Sequence, residues 1–214
     1  MNTDNPVTIL CAQGMRAEAE GRPAAAAALF RQAWNTATDD YDACVAAHYL
    51  ARHQTTPQDT LHWNQTALTH AERATDPRIH PLYPSLHLCI AQAHTDLNAP
   101  DHARTHYTHA AQHAHHLPPG PYTDMIRAAI AHGLRTTGAL PPRPSDPHIT
   151  TLLNRLTDRR DHRSLALLLP AHITDLQTPE DDLRLTTTLH LLHASRTLPD
   201  EDTHTLTQAL ATLT

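Results

Sequence analysis

Apolar and polar positions follow the helical period in blocks that proline separates. Prolines at 6, 23, 57, 84, 100, 121, 147 and 179 stand at or just before block starts. A first-turn proline costs a helix nothing there, because its missing N–H has no intrahelical partner anyway. The pattern predicts helices near 7–20, 23–38, 40–54, 57–75, 84–97, 100–116 and 121–137. After a Pro-rich break at 140–147, it predicts more near 147–158, 161–176, 179–196 and 200–213. The 161–176 block is expected to be interrupted at Pro170. Thr56-Pro57-Gln58-Asp59 and Thr178-Pro179-Glu180-Asp181 read as N-cap, first-turn proline and first-turn acid. Leu152/Leu153/Leu156, Leu165/Leu168/Leu169 and Leu185/Leu189/Leu192 recur at helical spacing in the C-terminal third.

Composition agrees with an all-α fold. Aromatic residues make up 4% of the 214, with a single Phe and only 5 Gly, which disfavours β-sandwiches, tight hairpins and phosphate-cradling loops. All 16 basic residues are Arg, against 22 acids, for a formal charge of −6. Nucleic acid is therefore not an expected partner. The one basic cluster, Arg159/Arg160/Arg163, is interrupted by Asp158 and Asp161. The three cysteines, Cys11, Cys44 and Cys89, have no CxxC spacing, so a reducing cytoplasm is the expected location. The stretch from Met1 to Pro6 lacks a leader's basic and apolar regions, and no apolar run reaches membrane length, so no membrane partner is expected.

Internal similarity bears on the architecture. Gly14, Gly21, Ala26, Phe30 and Ala33 are spaced by seven, five, four and three residues. Gly14 would let two helices approach closely, and Gly21 would allow the sharp turn between them. Ala26/Phe30/Ala33 sets an aromatic knob between two small residues. The trio returns as Ala103/Tyr107/Ala110, with Asn98 where the turn glycine would sit. A degenerate copy places Ala67 34 residues after Ala33, and the third copy is offset by 43, with 76–84 as the insertion. This pattern resembles the tetratricopeptide repeat, a helix-turn-helix unit, over roughly residues 7–137. The resemblance implies an α-solenoid of stacked hairpins over 1–140, followed by a C-terminal helical block over 146–214 acting as a cap or small subdomain. Leu10, Cys44 and His87 stand where the family has a bulky first-helix residue, and Ala17, Ala51 and His94 where it has an aromatic one. Its closing proline is replaced by Thr38.

Twenty histidines invite two explanations: a C-rich coding strand, which accounts for most of them, or selection for metal or proton chemistry. His102, His106, His109, His113 and His116 fall within an arc of about 80° on one helix face, beside the Ala103/Tyr107/Ala110 stripe. Neighbours at i, i+3 and i, i+4 can chelate a metal at two points. This helix carries no Glu and the chain no HExxH. The stripe therefore reads as a solvated polar face with adventitious zinc or nickel binding, and no resident cofactor is expected. His87, His94 and His48, with Cys44 and Cys89 nearby, read as buried histidines bonded to backbone carbonyls more readily than as a Cys/His metal site. The chain has no GxSxG, GxGxxG or GxxxxGK[ST], so no catalytic residue is assigned. Asp39-Asp40 and Glu180-Asp181-Asp182 read as acids drawn to helix starts.

In a tetratricopeptide-like array the first helices line the concave side. The resemblance places Thr8, Cys11, Met15 and Glu18 there, then Asp42, Val45, Tyr49 and Arg52, then Leu88, Gln92 and Thr95, with Tyr122 and Arg127 closing the groove. Such a mixture suits an extended peptide or a protein helix. The expected function is a noncatalytic adaptor or regulator that binds a protein or peptide, with Met15, Glu18, Tyr49, Arg52, Gln92, Thr95 and Arg127 as the groove. The competing readings are an enzyme or small-molecule binder with a His-containing pocket between the helical blocks, and a His-rich metal-binding protein. Leu-rich 183–192 or 206–213 would serve a homodimer.

Overall fold

The computed structural model describes residues 5–213, and within them the chain is all-α. Met1 to Asp4, part of the stretch read above for a leader, lie outside the described residues. The helices are α1 (Pro6–Ala19), α2 (Pro23–Thr36), α3 (Asp40–Ala51), α4 (Pro57–Arg73), α5 (Tyr83–Asp96), α6 (Pro100–His113), α7 (Pro121–Thr136), α8 (Asp146–Asp158), α9 (His162–Ile173), α10 (Pro179–Ser195) and α11 (Asp200–Ala211). Short 3-10 helices occupy Pro77–Leu82 and Ala114–His116. The first fills the segment read as an insertion, and the second ends the block predicted to run helical to 116. No described helix is long and apolar enough to cross a membrane.

Start signals work as their side chains dictate. Asn5, Asp39, Thr56 and Asp161 accept from backbone N–H groups in the first turns of α1, α3, α4 and α9. Thr178 and Asp181 form a reciprocal capping box on α10. Pro170 does not interrupt α9 as expected. It sits one turn from the helix end, and Thr174 donates both its N–H and its Oγ1 hydroxyl to the Pro170 carbonyl. Only one short turn must therefore tolerate the missing donor.

The chain divides into two compact units at Pro118/Pro119. Consecutive helices of the first unit pack as pairs, α1 on α2, α3 on α4 and α5 on α6. The trio residues Ala26, Phe30, Ala33, Ala103 and Ala110 are fully buried, and Tyr107 nearly so. Phe30 needs Gly14. A Cβ there would stand 2.4 Å from Phe30 Cε1. Trp34 of α2 meets Trp63 of α4 edge-on at 5.2 Å, tying neighbouring pairs together.

The turn after α1 puts Gly21 at φ +71°, with Gly21 N–H on the Glu18 carbonyl and Arg22 N–H on that of Ala17. Asn98 repeats it at φ +55°, with Ala99 N–H on the His94 carbonyl. Asn tolerates the left-handed region better than most residues do. The same bonding recurs in the second unit at Gly138 and at Arg160.

The second unit centres on Ile149, Leu152, Leu156, Leu168, Leu185, Leu189, Leu192 and Leu206. α7 belongs to it, although the repeat reading carried the first region on to residue 140. Arg127 of α7 pairs with buried Asp181, and Arg135 donates to the carbonyls of His172 and Asp175.

Candidate functional site: a ring-lined seam and an inner cleft

α1 and α3 line a small cleft of about 70 Å³, whose walls are chiefly apolar side chains. Val7, Cys11 and Met15 come from α1, Val45 and Tyr49 from α3, with Asp42 and Arg78 supplying opposite charges. Asp42 is already held by the Asn5 amide. Beside the cleft, Phe30 and Tyr49 stack at 5.1 Å, and the Arg52 guanidinium lies 4.9 Å from the Tyr49 ring. Glu18 binds Arg52 and, at 2.8 Å, His53 Nε2. Glu18 and Arg52 thus spend their charges on each other at the end of the cleft.

The structure brings Met15, Glu18, Tyr49 and Arg52 together. Gln92 and Thr95 are exposed on α5 and are not among the cleft's lining residues. Arg127 lies in the second unit, bound to Asp181. A larger recess of about 580 Å³ opens beside Asp39, Asp40, Tyr41, Arg73 and Asp76. Its charged groups neutralise one another: Asp40 with His70 and Arg73, Asp76 with Arg78.

Burial drives all three thiols upward, Cys11 and Cys44 to about 12 and Cys89 to about 11. They stay protonated at neutral pH, which suits neither nucleophile nor metal ligand. His48 is pushed down to about 4, first by burial and then by the Arg52 charge.

The α6 histidine stripe is not the simple solvated face expected of it. α5 and α6 run antiparallel, and this register sets His94 against His102 and His87 against His106, while His80 meets His116 between the two 3-10 helices. Ring centroids stand 5.0, 5.3 and 5.2 Å apart in those pairs. His113 stacks on Tyr83 at 4.9 Å and on His87 at 5.8 Å. Buried His87 does not bond a carbonyl, as was expected of it. Its Nδ1 lies 3.0 Å from His106 Nδ1. His109 closes a triangle, with its ring 5.1 Å from His87 and 6.0 Å from His106. One ligand atom from each of these three lies within 4.8 Å of the others. Burial, then the neighbouring histidines, lowers His87 and His106 to about 4. Both rings are therefore neutral at pH 7.

Sequence reasoning kept His87 and His94 apart from the α6 stripe. A signal was present, since His87 and His94 are seven residues apart and so share one face of α5. No protein-family model matches this sequence, and no curated protein does either.

Proposed function

We propose that the chain is a noncatalytic binding module of tetratricopeptide-like helical hairpins, a short α-solenoid, that docks a peptide or protein segment against the inner face of α1 and α3. One observation carries this reading: Thr8, Cys11, Met15, Val45 and Tyr49, assigned to the concave side by repeat position alone, line a common cleft. The paired packing of consecutive helices, the buried trios and the matching turns at Gly21 and Asn98 support the repeat assignment. An apolar lining flanked by Asp42 and Arg78 favours a segment with an apolar anchor and polar flanks. Three cysteines without CxxC spacing fit a cytoplasmic setting.

Selection of displayed peptides on the purified chain tests this reading. Met15 is 37% exposed at the cleft, and circular dichroism of Met15→Asp verifies that the variant is folded before binding is compared. Selected peptides should bind Met15→Asp at least about tenfold more weakly in fluorescence anisotropy, a loss of about 1.4 kcal/mol. Peptides that bind both proteins equally would place recognition elsewhere.

A further inference from the structure

We propose that His87, His106 and His109 form a binding site for one late first-row divalent cation of the zinc class, which ties α5 to α6. The argument is independent of the cleft between α1 and α3, and starts from where the three rings stand.

His106 and His109 are one turn apart on α6, so their rings leave the helix on the same side. His87 enters from the antiparallel neighbour, and its burial fixes it between them. A tetrahedral zinc with nitrogen ligands at 2.0–2.1 Å holds those nitrogens about 3.3 Å apart. The two Nδ1 atoms of His87 and His106 already stand 3.0 Å apart. With the widest separation in the trio below 4.8 Å, small rotations of His109 complete three corners of the tetrahedron.

The donor chemistry selects the cation. Three neutral imidazoles suit zinc, nickel, copper and cobalt, whereas calcium and magnesium require oxygen ligands. In the metal-free protein the two Nδ1 atoms can share one N–H···N hydrogen bond, and the donor ring moves that hydrogen to Nε2 on ligation. The rings packed around the trio are themselves histidines, His94 on His106 and His113 on His87. Because two helices supply the three ligands, a bound ion acts as a clasp between α5 and α6.

The site differs from the stripe read off α6 alone. His102, His113 and His116 are stacked on His94, Tyr83 and His80, and serve as ring packing around the trio. The essential ligand is the one α6 lacks.

The tag-free full chain, stripped with EDTA, should be titrated with zinc chloride by calorimetry and with cobalt chloride by visible absorption. The expected result is one equivalent of zinc and the ligand-field bands of tetrahedral cobalt. His109→Ala and His87→Leu should each weaken zinc binding by about tenfold or more, while His113→Ala and His62→Ala leave it nearly unchanged. Undiminished binding in His87→Leu would overturn the proposal in favour of adventitious chelation by α6. So would equal losses in His113→Ala and His109→Ala, or no binding at all. If His87→Leu fails to fold by circular dichroism, imidazole 15N spectra of the wild type decide. A ligating His87 ring nitrogen must shift on adding zinc, and an unmoved one refutes the site.

Discussion

Replacing Gly14 by alanine asks one methyl group to occupy space that Phe30 already fills. The new Cβ would stand 2.4, 2.7 and 2.9 Å from three atoms of that ring. Phe30 is fully buried and cannot retreat, because Tyr49 stacks on it at 5.1 Å with the planes only 9° apart. Overpacking of this kind costs about 1–3 kcal/mol. Alanine recovers about 1 kcal/mol through its better helix propensity. With the ring hemmed in, the net destabilisation should be about 1–2 kcal/mol, a fall of roughly 4–8 °C in melting temperature for a unit of this size. Both tryptophans, Trp34 and Trp63, lie in the first unit, so tryptophan emission excited clear of tyrosine absorption reads that unit during urea or thermal unfolding. Phe30→Leu should absorb most of the alanine penalty in the double variant, giving a favourable coupling energy of about 1 kcal/mol. If Gly14→Ala instead raises the midpoint, as propensity alone predicts, the close approach of α1 to α2 is wrong.

Asp181 accepts from the Leu176 N–H, completes the α10 capping box and neutralises Arg127. Asp181→Ala should therefore cost about 2–3 kcal/mol in urea unfolding followed by circular dichroism. Arg160 holds φ +58°, so Arg160→Gly should raise stability by about 0.5–1 kcal/mol in the same assay. His48 has its folded pKa lowered to about 4 from 6.5, so it favours folding above pH 6.5 and loses that contribution as pH falls from 6.5 towards 4. At pH 5 the loss is about 2 kcal/mol, and His48→Gln should flatten the tryptophan-detected stability profile between pH 7 and 5 by about that amount. An unchanged slope in that variant would mean His48 is solvated in the native state.

Helix number and boundaries were legible because proline and side-chain capping act locally, and first-turn prolines announced most starts. The buried trios were legible too, since a large ring between two alanines at helical spacing has few other uses. Pro170 misled because, so close to the helix end, its missing bond and ring leave only one further turn to be carried past them, which α9 accommodates. The helical face of the α6 histidines could be read from their spacing, but not its neighbour. Which helix covers a face is a tertiary fact, and the pairing of His87 with His106 depends on the α5–α6 register. The two residues are 19 positions apart, beyond the reach of any single-helix pattern. The cleft was legible for α1 and α3, whereas Gln92, Thr95 and Arg127 were placed by extending a repeat spacing across the 76–84 insertion and into the second unit.

The reversals at Gly21, Asn98, Gly138 and Arg160 close with the same pair of main-chain bonds although glycine, asparagine and arginine have no side-chain chemistry in common. A corner built from backbone alone leaves its central residue nearly free to drift, at the cost of a little conformational strain. A search keyed to glycine would meet two of these four corners. Kinship between hairpins of this type is therefore better sought in where the amide hydrogens point than in which letters persist.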